Sequence, residues 1–190
     1  MRSSLARIVL CLAAVSALLG PACRKPEVQT PDAQAIVAFK DRVTEYVALH
    51  EKFEATIPSL PNKATPQEVD ANQRALAQLI KTARAEAKPG DFFTPPIQSL
   101  IQKAIRSVLD GPGGGTVKSS IMDENPGLPQ ILVNETYPSS VPLSTMPPQM
   151  LEQLPPLKGE LEYRFIGPRL ILVDTEADII LDFTDPVFNP

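Results

Sequence analysis

The sequence predicts an α+β domain: an N-terminal helical bundle of three long helices packed on a small C-terminal antiparallel β-meander. Three observations carry this. Apolar residues recur at steps of three and four through residues 31–110, the period of helices buried along one side. Strict apolar/polar alternation appears only after residue 158. Between the two, eight prolines fall in the 31 residues from Pro126 to Pro156, which excludes regular helix there. Helices first and strands last indicate α+β rather than alternating α/β.

Thr-Pro occurs at Thr30-Pro31, Thr65-Pro66 and Thr94-Pro95, and each pair opens a helical pattern. Threonine can accept from the free N–H groups of a first turn, and proline fits the first helical position, where its missing N–H costs nothing. Glu68, three residues after Thr65, completes a capping box. The first helix is expected from Pro31 to about Thr56, with Ile36, Phe39, Val43, Tyr46, His50, Phe53 and Ile57 as a heptad stripe. Pro58 and Pro61 end it. The second is expected from Pro66 to about Ala87, with Val69, Leu76, Leu79, Ile80 and Ala83 inward and Lys88-Pro89-Gly90 as the stop. The third is expected from Pro95 to about Asp110, with Ile97, Leu100, Ile101, Ala104, Ile105, Val108 and Leu109 on one face. Gly113 to Gly115 read as a flexible bend, and Thr116 to Glu124 as a short fourth helix.

After Asn125 the chain changes character. Ile131 to Tyr137, bracketed by prolines, fits an edge strand. Val141, Leu143, Met146, Met150, Leu151 and Leu154 are expected to cover the sheet, the rival being a docking strip for a partner. In the meander, Leu161, Tyr163 and Phe165 alternate with Glu160, Glu162 and Arg164. Leu170 and Leu172 alternate with Ile171 and Val173, a strand apolar on both faces. Ile179, Leu181 and Phe183 alternate with Ile180 and Asp182.

Composition removes whole classes of function. The chain has 190 residues, 18 basic and 22 acidic, with one His and two Cys. No basic cluster marks a nucleic-acid surface. One histidine and two cysteines exclude most zinc sites, disulfide frameworks and Cys–His dyads. His50, on the apolar stripe, is expected to be a packing residue: no GxSxG elbow presents a serine, and no cysteine lies within the fold. Asp174, Glu176, Asp178, Asp182 and Asp185 gather near the last hairpin. They lack the glycine and distal glutamate of a calcium loop and are expected to be solvated. Gly113 to Gly115 lack the Lys-Ser/Thr pair of a phosphate loop. No catalytic residue, metal site or cofactor is assigned.

Met1 to Ala22 read as a signal peptide: Arg2 and Arg7, then a 12-residue apolar and small-residue stretch from Ile8 to Leu19, then Gly20-Pro21-Ala22. Cleavage after Ala22 leaves 168 residues. With Arg2 and Arg7 gone, the formal charge moves from −4 to −6. Residues 23–30 form a tether and 31–190 a single domain, divided into a helical part (31–124), a Pro-rich connection (125–157) and the meander (158–185). Cys11 leaves with the signal, and Cys23 becomes the first mature residue. A thiol at this junction resembles the lipid-modified cysteine of bacterial lipoproteins, although Gly20 and Pro21 stand where those proteins usually have leucine and a small residue. The resemblance implies lipid attachment at Cys23 and a membrane partner. The alternative is ordinary cleavage into the periplasm or medium.

Four strings resemble an uncharacterised group of exported bacterial proteins: SIMDENP at Ser120–Pro126, VPLSTMPP at Val141–Pro148, LEYRFIG at Leu161–Gly167 and LILVDTEADIILDF at Leu170–Phe183. The resemblance implies an envelope location and an α+β build, and brings no activity. The expected function is therefore that of an exported, lipid-anchored envelope protein, non-catalytic, that binds or scaffolds an envelope protein partner. The rival is a periplasmic hydrolase with paired carboxylates, Asp123 or Glu124 with one of the hairpin acids.

Overall fold

The computed structural model describes residues 30–124, 130–144 and 146–189. The signal segment, Cys23 and most of the tether therefore lie outside the described residues. Helices come first and a three-stranded antiparallel sheet last, so the α+β architecture is as expected.

Helix α1 spans Pro31–Glu54, α2 Pro66–Ala83 and α3 Pro95–Leu109. Thr30 Oγ1 accepts from the Ala33 N–H, and the Thr65–Glu68 capping box is closed in both directions. Thr94 precedes α3 without any side-chain cap bond. Phe39, Val43, Tyr46 and His50 bury the inner stripe of α1, and Ile36, Phe53 and Ile57 pack at its margin. This helix stops two residues short of Thr56, whose hydroxyl turns back onto the Phe53 carbonyl. Helix α2 ends at Ala83 rather than Ala87 because Arg84 leaves helical geometry (φ −108°, ψ 31°). Its guanidinium lies over the rings of Tyr46 and Phe92, 5.4 and 5.3 Å from their centroids. Val69 and Ala83, expected inward, are exposed.

Helix α4 spans Gly114–Glu124 and so begins inside the glycine run expected to be a flexible bend. A Cβ on Gly114 would stand 1.9 Å from the Leu109 carbonyl oxygen, so this sharp corner requires glycine. The exclusion of regular helix from the Pro-rich stretch is also corrected: α5 spans Pro148–Leu151. It is one turn long and opens on Pro147-Pro148, where a helix tolerates proline.

Strands β1 (Leu161–Ile166), β2 (Arg169–Asp174) and β3 (Ile179–Phe183) follow in the order β1-β2-β3. The helices cover one face, where Leu161, Tyr163, Phe165, Leu170, Leu172, Ile179 and Leu181 join the main core. On the other face Ile166, Ile171, Val173 and Ile180 pack under Ile131, Tyr137 and Val141. Part of the Pro-rich stretch is thus the third layer, as expected of a covering segment. Met150 and Leu154 are buried too, but Leu143 and Leu151 are 70% and 50% exposed. Ile131–Tyr137 does not form a strand. It follows the β3 edge through a single Thr136–Ile179 bridge and bonds at Asn134, Glu135 and Tyr137.

One alternation fails. Ile179, Leu181 and Phe183 were expected on one face, with Ile180 and Asp182 on the other. The β2–β3 register shifts between Leu172 and Val173, pairing Val173 with Ile180 but Leu172 with Asp182. Leu181 is the extra residue of a bulge, which resets the face of everything after it. Phe183 therefore packs with the outer cluster. Asp182 turns to the helix side and accepts from the N–H groups of Gly90, Phe92 and Phe93.

Candidate functional site

Helix α1 and the β2–β3 turn bring Tyr46, His50, Asp174 and Glu176 together across more than 120 positions of sequence. Tyr46 and His50 are one helical turn apart and face the sheet. Asp174 ends β2 on the helix side, and Glu176 follows in the turn. The Asp174 Oδ2 atom accepts from the Tyr46 hydroxyl and lies 2.6 Å from His50 Nδ1. Its Oδ1 accepts from the backbone N–H groups of Glu176 and Ala177 at 3.0 and 2.8 Å. The turn is held to α2 by Gln73, which donates to the Glu176 carbonyl. On the opposite side of the imidazole, Nε2 lies 3.0 Å from Glu176 Oε2.

Burial decides the electrostatics. The Asp174 side chain has no solvent exposure and that of His50 only 7%, whereas Glu176 is 37% exposed. Burial alone would raise the Asp174 carboxyl, but bonds from His50, the Ala177 N–H and Tyr46 hold it below its ordinary value. The bond to Asp174 outweighs burial at His50 and, with Glu176, pushes the imidazole up to about 9. The Tyr46 hydroxyl is pushed up by burial and by the adjacent carboxylate. At neutral pH the group is an imidazolium between two carboxylates.

A cavity of about 160 Å³ opens beside this cluster, lined by Tyr46, Val47, His50, Glu51, Glu54, Gly159, Glu160, Leu161 and Glu176. Gly159 closes one wall with φ +61°, and a Cβ there would meet Val47 at 3.4 Å. That contact is an ordinary one, so it is the left-handed backbone rather than crowding that favours glycine here.

A second, larger feature lies at the β1 edge. A groove of about 900 Å³ is lined by Leu143, Met146, Leu151, Leu154, Leu157 and β1 itself, with Glu152, Glu162 and Arg164 also at its walls. Both backbone groups of Phe165 bond the Ser144 hydroxyl, so Phe165 points its backbone outward from the sheet. By the antiparallel alternation, the N–H and C=O of Leu161 and Tyr163 point the same way. Among the described residues they have no partner.

The expected site residues fare unevenly. His50 packs on its stripe as expected, yet it also carries an ion-pair network. The hairpin acids expected to be solvated are not uniformly so: Asp174 and Asp182 are fully buried. Burial raises the Asp182 carboxyl, and its backbone N–H donors offset only part of that penalty. Asp185 and Asp123 are exposed. Asp123 lines neither cavity described above. The Glu124 side chain and Cys23 lie outside the described residues. Sequence reasoning missed Tyr46, Glu54 and Glu176 as neighbours of His50. The i, i+4 spacing of Tyr46, His50 and Glu54 was available, but nothing local links α1 to the last hairpin. No helix among the described residues is long and apolar enough to cross a membrane. No family model, curated protein or solved structure matches this chain, so the resemblance to exported bacterial proteins rests on its four strings alone.

Proposed function

We propose that this is an exported envelope protein, anchored through an acylated Cys23, whose domain binds an extended apolar segment of an envelope partner by adding it as a fourth strand beside β1. The observation that carries the binding reading is the apolar groove along β1, at whose floor the Leu161 and Tyr163 backbone groups have no partner among the described residues. Unpaired N–H and C=O groups are a template for another strand, and the flanking pockets read its alternate side chains. Leu143 and Leu151, exposed beside that edge, supply the apolar contact. The segment it fits is uncharged and apolar at alternate positions, because Glu162 and Arg164 at the groove already pair with one another. The binding reading is also consistent with His50 being engaged at both nitrogens by carboxylates.

Two experiments test the two halves. Mass spectrometry of the mature N-terminus should find a diacylated or triacylated residue 23; an unmodified residue 23 overturns the anchor. For the groove, a photoreactive side chain at position 143 or 151 should cross-link in cells to the same short segment of one partner, and Leu161→Pro should abolish the adduct. Proline at the first residue of an edge strand removes the outward N–H and leaves the ladder to β2 intact. Adducts that match those from position 69, on α2, overturn the reading. Adducts to a second copy of this chain also overturn it, in favour of edge-to-edge dimerisation.

A further inference from the structure

The cavity beside His50 has a lining that a packing role does not explain. Four glutamates, Glu51, Glu54, Glu160 and Glu176, surround one imidazole, and Asp174 lies behind it. No lysine or arginine is in that lining. A buried clasp between α1 and the hairpin needs His50, Asp174 and Glu176 and gains little from three further carboxylates, whose mutual repulsion opposes folding. Carboxylates gathered at an imidazole are the donor set of a bound cation.

We propose that His50 Nε2, Glu54 and Glu176 form a binding site for a divalent first-row transition cation such as zinc, with Asp174 as the residue that positions the imidazole. His50 and Glu54 are one turn apart on α1, and Glu176 enters from the β2–β3 turn. Their ligand atoms lie no farther than 4.8 Å from one another. Tetrahedral ligands at about 2.1 Å from a metal stand about 3.4 Å apart. His50 Nε2 and Glu176 Oε2, now 3.0 Å apart in a direct hydrogen bond, need only separate by about 0.4 Å to reach that spacing. Glu54 has only to close on them, and as an exposed residue at the last turn of α1 it is free to change rotamer.

The arrangement behind the imidazole strengthens the assignment. Metal-bound histidines usually give their second ring N–H to a carboxylate, which fixes the tautomer and the ring plane. Asp174 occupies that place on Nδ1, and its other oxygen is itself held by two backbone N–H groups. Nε2 is thereby aimed at the glutamates. The cation takes the position of the proton shared between His50 and Glu176. A cavity of about 160 Å³ leaves room for one or two waters to complete the coordination. A site built from one histidine and two carboxylates escapes a count of histidines and cysteines, so the scarcity of those residues does not exclude it. The cavity and the β1 groove share Leu161 in their linings, but none of the three ligands lines the groove, so the site does not depend on a partner there.

The test is calorimetric titration of the full chain, freed of metal by chelator, with zinc chloride, and with cobalt chloride followed by visible absorption. One cation per chain is expected, with cobalt bands of a low-coordinate site. Glu54→Gln and Glu176→Gln each remove a ligand at the exposed side of the cavity and should weaken zinc by about tenfold or more. Glu51→Gln should change it by less than about threefold. Circular dichroism of the variants separates lost binding from lost folding. Failure to bind zinc or cobalt at millimolar concentration overturns the site, as does binding that Glu54→Gln and Glu176→Gln leave unchanged. Binding of calcium in preference to zinc overturns the assignment to a transition cation.

Discussion

His50 shows how one buried side chain can tie the two halves of the fold together. Its imidazolium joins α1 to Asp174 and Glu176, and Tyr46 adds a second bond to the same carboxylate. The folded pKa is raised from 6.5 to about 9, first by the Asp174 bond and then by Glu176. Below pH 6.5 both folded and unfolded chains hold the proton, and the stabilisation is complete. Between 6.5 and about 9 only the folded chain keeps it, so stability falls as pH rises. The other charged groups facing His50 are Glu54 and Glu51 from α1 and Glu160 from the loop before β1, all of which favour the imidazolium. Urea unfolding of the metal-free chain in chelator should therefore show a loss of about 3 kcal/mol between pH 6 and pH 9.5. His50→Gln should flatten that slope. An unchanged slope in the variant would assign the pH dependence elsewhere. Asp174→Asn should cost about 3 kcal/mol or more at pH 7, since it removes the charge facing the buried His50 and sets an NH2 group against donors on one side, either Tyr46 and His50 or the Glu176 and Ala177 N–H groups.

At the scale of elements, the three Thr-Pro openings look alike in sequence and differ in energy. Thr65 accepts from Glu68 N while Glu68 Oε2 accepts from the Thr65 N–H at 2.7 Å. Thr94 makes no such bond. Thr65→Ala should lower stability by about 1 kcal/mol and Thr94→Ala by a few tenths, measured by urea unfolding. Equal losses at both would mean that the capping box does not act. The helices were legible because each buries one stripe, a local pattern of period 3.6, and their starts were legible because Pro fixes the first turn. Their ends were less so: α2 stops where Arg84 finds the Tyr46 and Phe92 rings, a tertiary cause. The strands were legible by alternation up to Leu181, where a bulge adds one residue and sends Asp182 to the helix side. The same bulge hid the role of Asp182, whose backbone donors come from residues 90–93 in the loop between α2 and α3. The His50 site was illegible for a similar reason. Its α1 members share a helix face, but the acids that complete it arrive only when the last hairpin folds back.

For the molecule as a whole, the two edges of the sheet are treated differently. The β3 edge is closed by the 134–137 segment, through Asn134 N–H to Ile180 O and Ile180 N–H to Glu135 O. Among the described residues the β1 edge receives only Ser144, at Phe165. Bare edges invite pairing with other chains, and folded proteins usually cover or charge them. Here one edge is covered within the chain and the other is left between apolar walls. Amide exchange measures this directly. Glu162 and Arg164 bond β2 and should exchange slowly, through opening of the sheet. Ile180, bonded to Glu135, should be slow as well. Leu161 and Tyr163, with their N–H groups in the groove, should exchange orders of magnitude faster at the same pH. They should become as slow as Glu162 when a partner strand is seated. Slow exchange at Leu161 and Tyr163 in the isolated chain would mean that the edge is already paired, and the groove would then be an internal seam rather than a docking surface.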